Sequence, residues 1–171
     1  MTEPLYVPVL PARRGAWSAY AQLDVRVRRR IAPLWTLVPR VGPERTRGER
    51  AVPTVDGDGE QPALDHWLTP RMDQLIEAVD GMPGWVDAAH VEGGVHGSAV
   101  SLWRLMTRSR LRLVTGPERD PALQRYAADL AFLSGRGMGV RVLVDTMEEG
   151  GPRSTELLNL IDRLCLSPPP H

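Results

Sequence analysis

At 171 residues the chain is long enough for one domain with its own core, and 42% apolar with 25% charged residues is ordinary for a globular protein. The formal net charge is zero, so no overall attraction to nucleic acid operates. All twenty-one basic side chains are Arg, which excludes Schiff-base and Lys general-base chemistry and a phosphate-binding P-loop of the usual kind.

The zero conceals a pattern. Residues 1–50 carry ten Arg against four acids, residues 51–100 one Arg against nine acids, and the remainder ten Arg against eight acids. A surface of mixed sign accounts for this, as does a dipolar surface that docks a partner. Cys165 is the only cysteine, so no intrachain disulfide forms, and its place in an apolar stretch marks a buried structural thiol. The N-terminus has an acid and no basic region, unlike a signal peptide, and no run reaches the length of a membrane span. A cytoplasmic setting is expected, and the Arg bias suggests a GC-rich bacterial genome.

"LYVPVL" (5–10) reads as the first strand and ends in the basic turn Arg13–Arg14. In residues 15–31, Trp17, Tyr20, Leu23 and Val27 share one helical face. "APLWTLVP" (32–39) is a second, buried strand. Residues 40–67 are rich in Pro, Gly and charge without a sustained period, which predicts a flexible insertion over 42–64. "DGDGE" (56–60) lacks the spaced ligands of a calcium loop. A helix follows over 69–82, with Thr69 as N-cap and Pro70 at its first position. "GWVDAAHV" (84–91) is the third strand, residues 98–110 a helix, and "LRLVTG" (111–116) a strand. Residues 120–137 open with an Asp cap and a Pro and stop at glycines, another helix. "MGVRVLVDT" (138–146) is the fifth strand, and "STEL" caps the last helix, 154–166.

This alternation predicts a parallel sheet of about five βα units in one α/β domain. Two architectures fit: a partial TIM-like (β/α) barrel, or an open five-stranded doubly wound sheet. No Gly-rich dinucleotide turn follows the first strand.

The opening resembles the beta family, named after a bacteriophage beta protein. Tyr6, Pro8, Leu10, Arg13, Arg14, Gly15, Ile31, Pro33 and Leu34 fill the places of its motif, and "WVDAAHV", "LVTGPERDPALQRYA" and "GVRVLVD" are similar to later pieces. The resemblance implies a barrel-like fold of about twice this length and no established reaction. Ala12 and Ala16 stand where the family often has Lys and Glu, and Thr36 where it often has an acid. Five βα units cannot close an eight-stranded barrel, so the chain reads as an N-terminal portion, a truncated product or a reduced relative. The alternative is a sheet complete in itself.

Ligands of parallel α/β folds sit at the C-terminal ends of strands. The residues expected there are Arg13, Arg14, Thr36, Arg40, His90, Glu92, Thr115, Arg119, Asp145 and Thr146. Asp87 and Arg141 lie inside strands, where a charge must pair or face a cavity. His90 and Glu92 fall on one side of a strand near His96, but without the spacing of a zinc motif. No metal or other cofactor is expected. One functional reading is a phage-related or defence-linked protein acting by self-association or with a complementary C-terminal half. The other is an anion-binding barrel enzyme of phosphodiesterase or phosphatase type, with candidate ligand-binding residues Arg13, Arg14, Asp87, Arg141 and Asp145. A nucleic-acid role has only the basic N-terminal segment in its favour.

Overall fold

A strand bounded by prolines can still accept hydrogen bonds, and that is how the first one is used. The computed structural model describes residues 6–38, 60–91, 95–142 and 152–166. Strand β1 (Val9–Pro11) lies parallel to β2 (Leu34–Thr36), preceded by a bridge between Tyr6 and Ile31. The carbonyls of Tyr6 and Pro8 accept from Ala32 and Leu34, so the missing Pro8 N–H costs no bond on this side.

The helical stripe expected over 15–31 is broken in two. α1 (Arg14–Ala21) ends at Gln22, and α2 (Val25–Arg28) restarts because the Asp24 carboxylate accepts from Arg26 N–H at 2.7 Å. Trp17 and Tyr20 are buried, whereas Leu23 and Val27, beyond or after the break, are exposed. Tyr20 meets Trp35 edge-on, with ring centroids 5.4 Å apart. Burial pushes the Tyr20 phenol above its ordinary value, against the opposing pull of Arg28.

α3 (Glu60–Val79) begins well before the expected Thr69 cap, so residues 60–67 are helix rather than loop. Pro62 stands in the first turn, where its missing N–H has no intrahelical acceptor to satisfy, and Pro70 is carried inside the helix. Thr69 hydroxyl spends its hydrogen bond on Ser101 of α4 at 3.2 Å instead of capping. The rest of the expected insertion, 42–59, lies outside the described residues.

β3 (Gly84–Asp87) is shorter than expected: the Asp87 carboxylate accepts from Ala89 N–H at 3.0 Å, and the chain turns into a short 3-10 segment, Ala89–Val91. α4 (Val95–Arg108), β4 (Leu111–Thr115) and α5 (Pro121–Ser134) follow. In α5 the predicted caps are present. Asp120 accepts from Ala122 N–H at 2.7 Å, and Gly135 takes the left-handed conformation, φ 62°. β5 is described as Gly139–Val140, and α6 (Pro152–Leu166) starts at a Pro two residues before the expected cap. Residues 143–151, and the side chain of Cys165, lie outside the described set.

The sheet runs β1-β2-β3-β4-β5, all parallel. The order never reverses, so there is no switch point of the kind a doubly wound sheet requires. α1, α3, α4, α5 and α6 touch in succession, a single helical layer on one face. Leu10, Trp35, Val86 and Leu113 form one register row facing that layer. The next row, Pro11, Thr36, Asp87, Val114 and Gly139, faces the other way at the C-terminal end. No helix among the described residues is long and apolar enough to cross a membrane.

Side chains lock the layer. The Asp73 carboxylate of α3 accepts two bonds from Arg104 of α4, at 2.9 and 3.0 Å, and one from Arg108 at 3.2 Å. Arg136 donates to the carbonyls of Met106 and Ser109, closing the C-terminal end of α4. Gly84 is required where β3 crosses the β1–β2 connection: a Cβ there would stand 2.7 Å from Pro33 O and 3.0 Å from Leu111 Cδ2. Gly84→Ala is expected to destabilise the protein by about 1–3 kcal/mol, the cost of overpacking a filled site. A Cβ on Gly15 meets nothing within 4 Å, so Gly15→Ala is expected to leave stability equal or raise it by up to about 1 kcal/mol. Denaturant melts of the two variants measure the contrast.

Candidate functional site

Two groups of side chains occupy the C-terminal end of the sheet, on opposite sides of it. The first is a cleft of about 420 Å³ lined by Ala12, Arg13, Arg14, Trp17, Val38, Trp67, Pro70, Arg71 and Gln74. Its floor follows from the turn out of β1. Ala12 donates to Thr36 O at 2.8 Å and buries its methyl in the core, which throws Arg13 and Arg14 outward into α1. Arg13 is extended (φ −128°, ψ 155°) and offers no side-chain cap, and no acid stands in the first turn of α1. The leading N–H groups of α1 therefore add to the positive charge of the two guanidiniums.

The opposite wall is one face of α3. Trp67, Pro70, Arg71 and Gln74 recur at i, i+3, i+4 and i+7. The Arg71 guanidinium lies 3.9 Å from the centre of the Trp67 ring, and its Nη1 donates to Trp67 O at 2.7 Å. Among the described residues, the cleft lining thus has three Arg and two Trp and no carboxylate. It suits an anion with some apolar surface. None of the described lining residues is a usual metal ligand, nucleophile or general base.

The second group centres on Asp87, whose side chain is wholly buried. Arg119 Nη2 donates to Oδ1 at 2.7 Å and Arg141 Nη1 to Oδ2 at 2.5 Å. The two cations come from different places. Arg119 belongs to the β4–α5 loop, which Gln124 holds by donating to the carbonyls of Gly116 and Arg119, each at 3.0 Å. Arg141 follows β5, where its N–H donates to Thr115 O at 2.8 Å. A Cβ on Gly116 would lie 2.6 Å from Arg141 O, so only glycine permits this approach. Asp87 ties the ends of β3, β4 and β5 together.

Of the candidates read from the sequence, Asp87 and Arg141 come together as a pair, joined by Arg119. Arg13 and Arg14 line the separate cleft, whose walls contain none of those three. Asp145, Thr146, Arg40 and Glu92 lie outside the described residues, as does the side chain of His96. His90 sits on the 3-10 segment instead of a strand, because Asp87 ends β3 early. Trp67 escaped sequence reading because 40–67 looked featureless, and Arg71 and Gln74 because they lie on a helix and not at a strand end. Their helical spacing beside Pro70 was the available signal.

A family model described as Beta protein matches residues 6–166. No curated protein and no solved structure matches the chain.

Removing the Asp87 carboxylate leaves two guanidiniums facing a buried position. Asp87→Ala is expected to destabilise the fold by about 3–5 kcal/mol, as breaking a buried pair does. Arg141→Ala should cost less, since its side chain is 42% exposed and Arg119 still answers Asp87. Equal midpoints for the two variants in urea would contradict the assignment of Asp87 as the central group.

Proposed function

The chain belongs to the Beta protein family, and from that premise we propose that it binds a small anion, phosphate or carboxylate, in the cleft at the end of β1 and β2. One observation carries the reading: Arg13, Arg14 and Arg71 line a cavity of about 420 Å³ whose described lining residues include no acid. Guanidiniums present forked donors to such oxyanions, and the α1 N-terminus adds backbone donors of the same sense. The cleft is of the size that takes a single small molecule, about 300–1,000 Å³. Its role is binding. Catalysis would require an acid, base or nucleophile from outside this lining.

A second reading, association with another chain, rests on a different observation. Among the described residues β5 is a sheet edge, and Phe132 and Leu133 of α5, Val140 of β5 and Leu158 and Ile161 of α6 are exposed. Exposed apolar groups beside an unguarded strand edge suit an interface. The partner is another copy or a complementary C-terminal half, in a phage-related or defence-linked setting. The two readings are compatible because the cleft and this edge lie at opposite ends of the sheet.

Titration calorimetry with inorganic phosphate tests the first. Arg14→Gln is expected to weaken phosphate binding about tenfold or more, the loss of one charge-assisted contact, with the melting temperature unchanged. Binding that is indifferent to Arg13→Gln and Arg14→Gln would defeat it. Light scattering across a concentration series tests the second, and Leu133→Glu with Leu158→Glu should return the chain to monomer. A wild-type chain that is monomeric throughout removes self-association.

A further inference from the structure

The cleft has two chemically different ends, and they call for a ligand with two different ends. Arg13, Arg14 and the first turn of α1 form the cationic, anion-binding end. The other wall is flat and π-rich: an Arg71 guanidinium held at 3.9 Å on the Trp67 indole and fixed by its bond to Trp67 O. A guanidinium plane so fixed is a stacking surface for another flat ring, just as an indole is. Pro70 and Val38 complete apolar walls beside it, and Gln74 stands one turn further along α3. A carboxamide both donates and accepts, so it can meet the mixed edge of a heteroaromatic ring. A simple inorganic ion would use none of this wall.

We propose that the cleft takes a phosphate carried on a flat heteroaromatic group, the chemistry of a nucleoside monophosphate. The phosphate sits at Arg13 and Arg14, the ring lies on the Arg71–Trp67 pair, and Gln74 meets the ring edge. Phosphate is favoured over carboxylate because two guanidiniums and a helix N-terminus offer more donors than two oxygens use. The volume of about 420 Å³ admits one such unit. The inference rests on the anion-binding reading of the same cleft and adds the second half of its ligand.

Calorimetry with three probes tests it: inorganic phosphate, adenosine monophosphate and adenosine. The monophosphate is expected to bind at least about tenfold tighter than inorganic phosphate, within what one stacked base contributes. Trp67→Leu should abolish that advantage while leaving the phosphate affinity within about twofold of wild type. Trp67→Phe keeps a ring and should retain most of it, and Arg71→Gln should lose it. Adenosine alone should bind weakly, and weakly in every variant. Thermal melts of each variant check that it is folded. A monophosphate that binds no tighter than inorganic phosphate overturns the inference, and so does a Trp67→Leu variant that weakens both ligands equally. If phosphate still binds and still responds to Arg14→Gln, the anion site stands and only the ring site falls. If no probe binds, both fall.

Discussion

Sequential, all-parallel strand pairing is the constraint on which this molecule depends. Because the order β1-β2-β3-β4-β5 never reverses, each connecting helix returns on the same side, and the helices form one continuous layer. The two faces of the sheet then have different chemistry. One row, Leu10, Trp35, Val86 and Leu113, is sealed under helices. The row beside it faces away from them and ends with Asp87 at the rim. A parallel sheet normally hides both faces. Here the second face is hidden only in part, with Val9 exposed and Asp87 covered by two arginines instead of by a helix.

The same constraint explains why both charged groups stand at one end. Strand C-termini of a singly wound sheet all open on one side, and the N-terminal halves of the returning helices open there too. α1 brings its first turn and α3 brings Trp67 to Gln74 to that side. Yet the two groups do not merge. Arg13 and Arg14 follow Ala12, which turns into the helical layer, whereas Asp87 belongs to the row that turns away from it. One residue of strand register separates an arginine-lined cleft from a network that fastens three strand ends.

Local hydrogen-bond chemistry was the most legible part of the sequence. Asp120, Pro121 and Gly135 announce the ends of α5 because each acts through its own backbone. The parallel alternation was legible for a similar reason, since apolar period switches at each element. What escaped depended on competition between near-equal local choices. Asp24 could sit in a continuing helix or cap a new one, and its bond to Arg26 N–H decides for the cap. Pro70 resembles a helix start, but α3 runs through it, held by its packing against α4 through Asp73, Arg104 and the Thr69–Ser101 pair. Arg13 and Arg14 were marked by charge at a strand end, and Asp87 and Arg141 by charge inside strands. Arg71 and Trp67 were not, because only the fold brings that face of α3 opposite the first turn of α1.

Thr36 has a particular place in this arrangement. It pairs in register with Asp87 and shares its face of the sheet. The resemblance to the beta family marks Thr36 as a departure, since an acid is frequent there. Neighbouring strands are about 4.8 Å apart, so an acid at 36 would set two carboxylates side by side at the rim. Like charges that close resist joint ionisation, which is how paired carboxylates acquire separate acid and base roles. With Thr36, Asp87 has no carboxylate beside it in that row, and the guanidiniums of Arg119 and Arg141 occupy both of its oxygens. A carboxylate engaged on both oxygens is a tether between the elements that carry its partners. Thr36 and the two guanidiniums therefore suit this part of the rim to holding β3, β4 and β5 in place, while the arginine-lined cleft lies on the other side of the sheet.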